Sequence, residues 1–462
     1  MTTIPAPAPS KTQKRASMPA CDHVPKKYSG PSREELIAMR KQFTNPAVFT
    51  LYKEPLLIVE GHMQWLFDET GRRYLDFLAG IVTVGCGHCH PKITARIKEQ
   101  ADTLQHATTI YLHPNVALLA KKLASKMPKG LDVTYFVNSG TEANDLAITM
   151  ARLKTGNNDV IAVRNAYHGN SPNAQGLTSL STWKFPLGGG GAVHHALNPD
   201  PYRSSLKGTP EEISAQSAAD IRDLIRYSTP GKVAAFIMEP IQGAGGITHG
   251  AKNYLKEAYA IVREHGGLCI ADEVQTGFGR TGEHYWGFEN FDVTPDFVTM
   301  AKSLGNGMPI AAVTTRSDIA QALTQRIHFN TFGGNPMSTA AALAVLDVID
   351  EDNLQQNSKV MGAKVKAGLE KLKQSHKLIG DVRGMGLMLG VEIVSDRATR
   401  APGKSEAADV LEACKELGLL IGKGGLDGNV LRVQPPMCIT GDDVEFALDV
   451  FDQAFGAVGK KG

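Results

Sequence analysis

Six cysteines are all that 462 residues contain: Cys21, Cys86, Cys89, Cys269, Cys414 and Cys438. They are too sparse for a disulfide framework, so a reducing compartment is the default expectation. No apolar run is long enough to cross a bilayer, and none near the start has the character of a secretory signal, so the expectation is a soluble chain inside the cell. An excess of one charge is missing too. The 49 basic and 47 acidic side chains leave a formal charge of +2, which offers no field to attract nucleic acid or an anionic membrane surface. Chemistry on small molecules is the class that remains.

What is plentiful is apolar content, 42% of a chain longer than one ordinary domain, which predicts a large core divided between two unequal lobes. The first 21 residues carry Ser10, Lys11, Lys14, Arg15 and Ser17 with no acidic residue, which partly suits an organellar transit peptide. Pro5, Pro7, Pro9 and Pro19 break the amphipathic helix such a peptide needs, and a disordered basic tail has the same composition. "PLGGGGAV" at 186 to 193 reads as a loop.

Between about residue 130 and residue 315 short apolar runs alternate with amphipathic or loop segments: "VTYFV" at 133, "DVIAV" at 159, "VAAFIM" at 233, "GLCIA" at 267, "DFVTM" at 296 and "PIAAVTT" at 309. That alternation predicts an α/β lobe, a mostly parallel sheet with helices on both faces. The last 120 residues predict a long helix from 354, strands at 386 and 429 and a closing helix from 444, a smaller α+β lobe. "HMQWLFDETGRRYLDF" from 62 has hairpin character around "ETGR" and is expected to join that lobe. The expected division is a tail, partly disordered or targeting, over 1–44, a segment of the small domain over 45–95, a large domain over 96–345 and a C-terminal small domain over 346–462.

In open parallel sheets ligands bind beyond the carboxyl ends of the strands. There the sequence places Ser139, Tyr167, Glu239, Asp272 and Lys302. Ser139 and Glu142 have capping-box spacing, and Ala143, Leu146, Ala147 and Met150 follow as one helical face. The helix start at Gly140 and Thr141 can hold a phosphate on its free N–H groups, or be an ordinary capped helix. Asp272 at a buried strand end needs a positive partner; one reading is that it, or Glu273, pairs with Arg280. Lys302 against apolar walls would lose ammonium hydration and become nucleophilic, or it would snorkel to the surface. One small molecule satisfies the aldehyde-seeking amine, the cation-seeking carboxylate and the phosphate cup together: pyridoxal 5'-phosphate. Tyr167 offers a flat face for its ring.

"VNSGTEAND", "AYHG", "EPIQG", "ADEVQTGFGRTG", "MAKSLGNGMP", "HFNTFGGNP" and "LRVQPP" occur in one order over nearly the whole chain from about residue 45. In this the chain resembles the class III, or ω-amino acid, aminotransferases. The resemblance implies the fold type I of pyridoxal-phosphate-dependent transferases, with the large domain binding the cofactor, and a homodimer, possibly a homotetramer, whose active site lies between subunits. It implies that Lys302 is the Schiff-base lysine, that Asp272 holds the pyridine nitrogen, that Gln275 reaches the ring hydroxyl and that Gly140 and Thr141 contact the phosphate. Ser139, Tyr167 and Val274 join the cofactor contacts, and Thr331 comes from the partner subunit. Arg432 would grip a substrate carboxylate, and Glu239 would pair with Arg432 when no carboxylate is offered; from its residue type alone, Arg432 could equally be a surface salt-bridge partner.

Relatives acting on ornithine derivatives or γ-aminobutyrate carry arginine after "HG", where this chain has Asn170. A site without that second cation suits alanine or a β-amino acid as donor and glyoxylate or pyruvate as acceptor. A phospho-lyase of amino-alcohol phosphates, a dialkyl amino acid decarboxylase and another ω-amino acid transaminase are alternatives on the same scaffold; a catalytically silent binding protein is the alternative of another class. Amino acids and keto acids are the expected partners, with no nucleic acid or membrane. A mitochondrial location is expected, otherwise a cytoplasmic one. No metal is expected, because Cys86, His88, Cys89 and His90 crowd into five residues without separated pairs. "RGMGLMLG" at 383 echoes a dinucleotide fingerprint but opens a strand, where that fingerprint would open a helix.

Overall fold

The computed structural model describes residues 17–186 and 191–460. The basic opening up to residue 16 and the centre of the glycine-rich stretch at 186 to 193 lie outside the described residues.

Seven strands, Val133–Val137, Val160–Val163, Val193–Ala196, Ala235–Met238, Leu268–Asp272, Phe297–Met300 and Ala311–Thr315, make one sheet. Counted in chain order, they lie in the spatial order first, seventh, sixth, fifth, fourth, second, third. Neighbours run parallel except at Ala311–Thr315, which is antiparallel to both of its partners. The inner strands are apolar at nearly every position because both faces are covered. Ala162, Ile237 and Ile270 pack on one side with Ala143, Leu146 and Ala147 of the helix Gly140–Thr155. Ile161, Phe236 and Cys269 pack on the other with Ile221 of Pro210–Ser228 and Leu255 of Asn253–Glu264. The strand Val193–Ala196 has no signal in the apolar runs, since two of its four residues are histidines. His194 reaches Asp159 at 2.7 Å, which satisfies its ring at the sheet edge.

The hairpin expected around "ETGR" is present: Trp65–Asp68 pairs antiparallel with Arg73–Asp76, and Ile58–His62 lies outside them. Asp68 Oδ1 accepts from the backbone N–H groups of Thr70 and Arg72, closing the turn. Leu419–Leu420 then joins Arg73–Asp76 in parallel. A second antiparallel sheet contains Ile379–Met385, Met388–Asp396, Val430–Val433 and Gly422–Gly424. The helices Leu354–Ser375 and Gly441–Gly459 accompany it. "RGMGLMLG" is the turn of the first hairpin in this sheet. Gly386 there has φ of +52°, and a Cβ would stand 2.4 Å from the backbone of Thr281, so the glycine serves a close backbone approach.

Among the described residues no helix is long and apolar enough to cross a membrane, and no group of three or more His, Cys, Asp or Glu side chains could hold a metal ion. In "GCGHCHP" His88 is bonded to Asp76 and His90 to Asp352.

Candidate active site

Ser139 caps the helix Gly140–Thr155, its Oγ accepting from Glu142 N. The expected reciprocal bond is shifted by one residue, since Glu142 Oε2 accepts from Asn138 N at 2.9 Å. The same oxygen takes the Ser139 hydroxyl proton at 2.9 Å, so that hydroxyl is committed within the cap and the backbone N–H groups of the first turn are its remaining anion donors. A Cβ on Gly140 would lie 3.1 Å from Val274, which shows how closely the helix start is seated beside the segment after Asp272. Thr141 Oγ1 accepts from Asn170 N at 3.1 Å, tying the helix start to the loop that carries Tyr167.

Asp272 ends the strand Leu268–Asp272 and is buried. Its partner is not Arg280, which donates to the backbone carbonyls of Leu387 and Pro435. Glu273 does not meet Arg280 either: it accepts from Thr276, Gly287 N and Phe288 N. Asp272 Oδ2 lies 2.7 Å from His168 Nδ1 and accepts from Asn144 Nδ2 at 2.9 Å, while Oδ1 accepts from Val274 N at 3.1 Å.

Lys302 follows the strand Phe297–Met300 and stands at φ of +45°. Its ammonium makes no hydrogen bond or ion pair among the described residues. Desolvation and then the nearby Arg432 guanidinium bring its pKa down to about 8, against the opposing pull of Asp272 and Glu239. The lysine therefore does not snorkel: it faces the centre of the charged cluster.

Arg432, on the buried strand Val430–Val433, is not a surface salt-bridge partner. Its Nη2 donates to Gln275 Oε1 at 2.7 Å and its Nε is buried with no partner. Burial lowers its pKa to about 10. No ion pair joins Arg432 to Glu239, whose Oε1 accepts from Tyr167 N at 3.0 Å and whose Oε2 accepts from Gly243 N at 2.8 Å. Burial pushes the Glu239 carboxyl up. The Tyr167 ring packs edge-on against Trp183 with centroids 5.2 Å apart. Thr331 is exposed and has no hydrogen bond to these residues.

Tyr167, Glu239, Asp272, Gln275, Lys302 and Arg432 are thus joined by contacts or close charges, with Ser139, Gly140, Thr141 and Val274 at the adjoining helix start. The residue reading missed Asn144 and His168. Each had a signal: Asn144 is a polar residue between Ala143 and Ala147 on a buried helix face, and His168 follows Tyr167 directly. Pyridoxal phosphate suits the donor set on the structure's own terms. An amine lacks a partner, a buried carboxylate has one oxygen held only by a backbone N–H, and a helix amino end and an aromatic ring lie nearby.

Comparison with known proteins places the chain among relatives and solved structures. The family model for aminotransferase class-III matches residues 50–455. A curated relative, "Alanine--glyoxylate aminotransferase 2 homolog 2, mitochondrial" of Arabidopsis thaliana, is 52% identical over 438 residues, covering 95% of this chain and 91% of that protein. A solved phospholyase from Arthrobacter, in complex with phosphoethanolamine, has a TM-score of 0.86 at 33% identity, over 91% of this chain and 99% of its own. An amine transaminase from an uncultivated Pseudomonas species, in the PLP-bound form, has a TM-score of 0.84 at 28% identity, over 90% and 99%.

Proposed function

The chain belongs to the class-III aminotransferase family, whose members work with pyridoxal 5'-phosphate, and on that premise we propose that it moves an amino group from alanine or a β-amino acid to glyoxylate or pyruvate. The observation that carries this reading is the meeting of three groups: an unpartnered Lys302 of lowered pKa, the buried Asp272, and an Arg432 whose Nε is unpartnered. The name of the 52% identical relative supports alanine and glyoxylate as the pair.

When bound, the cofactor supplies a carbonyl that takes up and returns the amino group and a ring that draws electrons from the substrate carbon. The residues do the rest. Lys302 Nζ would hold the cofactor's carbonyl carbon, and as a free amine of pKa about 8 it would serve as the general base that takes and returns the proton on the donor's amine-bearing carbon. Asp272 holds the proton on the ring nitrogen through a charge-assisted hydrogen bond. The N–H groups of Gly140 and Thr141 bind the phosphate, with Ser139 shaping the turn, and Val274 and the Tyr167 ring pack on the cofactor. Gln275 meets the ring hydroxyl. Arg432 orients the substrate carboxylate with its planar fork, and Glu239 stands near enough to favour its charge.

The working unit is read as a homodimer. Exposed apolar side chains at Ile110, Tyr111, Leu112, Ile327, Phe329 and Phe332 support it, since large apolar patches mark interfaces. His106 and Phe332, with ring centroids 5.5 Å apart, bring the two segments together. Thr331 lies in the second segment, where it can complete the partner's phosphate site. The large and small domains are read with boundaries near residues 96 and 346. A mitochondrial location follows the relative's name and the basic opening.

The deciding experiment follows products from the purified enzyme with pyridoxal phosphate. Pyruvate and glycine formed from alanine and glyoxylate support the proposal. Inorganic phosphate released from phosphoethanolamine, with no transamination, would transfer the chain to the lyase reading that the Arthrobacter neighbour represents.

A further inference from the structure

Behind Asp272 lies a chain of buried hydrogen bonds that the reaction as described does not use. Thr299 faces Asp272 directly, since the two are register partners in the parallel strands Leu268–Asp272 and Phe297–Met300. Asn144 covers the pair from the helix Gly140–Thr155. The Thr299 hydroxyl has one proton, with Asn144 Oδ1 at 2.7 Å and the Ala271 carbonyl at 3.5 Å as acceptors. The shorter bond takes it.

That choice fixes the Asn144 amide. With Oδ1 accepting from Thr299, both N–H groups of Nδ2 remain to donate, and each has an acceptor: Asp272 Oδ2 and the His168 carbonyl, both at 2.9 Å. The reversed amide would set its oxygen against a carboxylate and a carbonyl, with Thr299 left facing an NH2 group. Thr299, Asn144, His168 and Asp272 are all at most 3% exposed, so water does not offer an alternative partner.

We infer that Asn144, locked by Thr299, is a positioning residue that sets the plane of the Asp272 carboxylate. The inference rests on the reading of Asp272 as the partner of the cofactor's ring nitrogen. Asn144 and His168 both bind Oδ2, and only Val274 N binds Oδ1, so Oδ1 is the oxygen with spare acceptor capacity for the ring N–H. Without Asn144 each oxygen keeps a single anchor, His168 on Oδ2 and Val274 N on Oδ1, and the two oxygens compete equally for the ring N–H. Asn144 is the second donor on Oδ2. It holds that oxygen in place and leaves Oδ1 as the one turned to the ring.

The test compares holoenzymes carrying Asn144→Leu, Thr299→Val, Thr299→Ser and Asp272→Asn. Readouts are the rate of pyridoxal phosphate release, the pH titration of its visible absorbance, kcat and KM for alanine, and the melting temperature. Losing a hydrogen bond to a charged group corresponds to about tenfold or more. Asn144→Leu is therefore expected to release cofactor about tenfold faster and to shift the absorbance titration. Its kcat should fall, with KM for alanine held within about twofold because Arg432 is untouched. Thr299→Val should show part of the same effect, and Thr299→Ser, which keeps the hydroxyl, should behave as the unmodified protein. If Asn144→Leu proves too unstable to purify, the Thr299→Val and Thr299→Ser pair decides. Thr299→Val releasing cofactor at the unmodified rate, or Asn144→Leu lowering only the melting temperature, overturns the inference while Asp272→Asn still loses its cofactor. An Asp272→Asn enzyme with normal release and turnover would instead remove the reading of Asp272, and the inference with it.

Discussion

Arg432 is held by Gln275 and not by Glu239: Nη2 to Oε1 is 2.7 Å, whereas each Glu239 oxygen accepts one backbone N–H, from Tyr167 and from Gly243. A neutral amide is a weaker competitor than a carboxylate for a guanidinium, so on the role proposed for Arg432 a substrate carboxylate would displace Gln275 at modest cost. Arg432→Ala is expected to raise KM for alanine and for glyoxylate by about a hundredfold, equivalent to ~3 kcal/mol for charged hydrogen bonds. Glu239→Gln keeps one of its two backbone bonds and turns its NH2 group toward the other N–H, so KM should change by about tenfold or less, the range of a single neutral hydrogen bond. Steady-state kinetics on both variants checks the contrast; equal losses would place Glu239 on the carboxylate path.

The role proposed for Lys302 predicts a pH dependence for cofactor capture. Its pKa of about 8, lowered first by desolvation and then by Arg432, means that the neutral amine is the minor form below pH 8. The rate at which apoenzyme combines with pyridoxal phosphate should rise about tenfold per pH unit below that point and level off above it. The sign for stability agrees. The folded protein holds its proton less tightly than the unfolded chain, so the cost of burying the ammonium is present below about pH 8 and is relieved as pH rises toward the ordinary lysine value. Stopped-flow absorbance across pH 6 to 10 measures the capture rate, and a flat profile would contradict the assignment.

Gly169 stands at φ of +126°, and a Cβ there would lie 1.9 Å from Thr141 Oγ1. Gly169→Ala must therefore push Thr141 or the "AYHGN" loop aside, and both border the helix start. Cofactor affinity should fall by an order of magnitude or more, about 1.4 kcal/mol per tenfold, with the melting temperature of the apoenzyme lowered by a few degrees for ~1 kcal/mol of backbone strain. Fluorescence titration of the apo variant with pyridoxal phosphate measures the first effect. Affinity equal to that of the unmodified chain would detach this loop from phosphate binding.

Asn170 is exposed, so Asn170→Arg should be tolerated by the fold. An added guanidinium there supplies the distal cation that the resemblance associates with longer substrates. The variant should gain activity on γ-aminobutyrate by about tenfold, the scale of one charge-assisted contact, with alanine turnover reduced by less. A donor panel assayed against glyoxylate reads both numbers.

The sequence was most legible where periodicity and chemistry coincided. Strands such as Ala235–Met238 and Leu268–Asp272 are buried on both faces and read as unbroken apolar runs. Their polar end residues then stood out, and Asp272 and Lys302 proved to lie in one charged cluster. Partner choice was less legible, because it depends on residues that only the fold brings together. Asp272 invited a cation from its own motif, yet its bonds go to Asn144, 128 residues earlier, and His168, 104 residues earlier. Arg280, the nearer candidate by sequence, donates through Nη1 to the carbonyls of Leu387, beside the turn that Gly386 makes possible, and of Pro435. The strand Val193–Ala196 escaped notice because its histidines obscure its apolar face, and its pairing with Asp159 is a tertiary fact.

The parallel pairing of Leu419–Leu420 with Arg73–Asp76 constrains how the polypeptide can mature on the ribosome. The early hairpin emerges first, but the edge it offers stays bare until almost all of the remaining chain has been synthesised, since its partner is encoded near the far terminus. The central sheet has a shorter wait, since its first strand, Val133–Val137, finds its partner at Ala311–Thr315. Joining Leu419–Leu420 to Arg73–Asp76 is therefore a late step of high contact order.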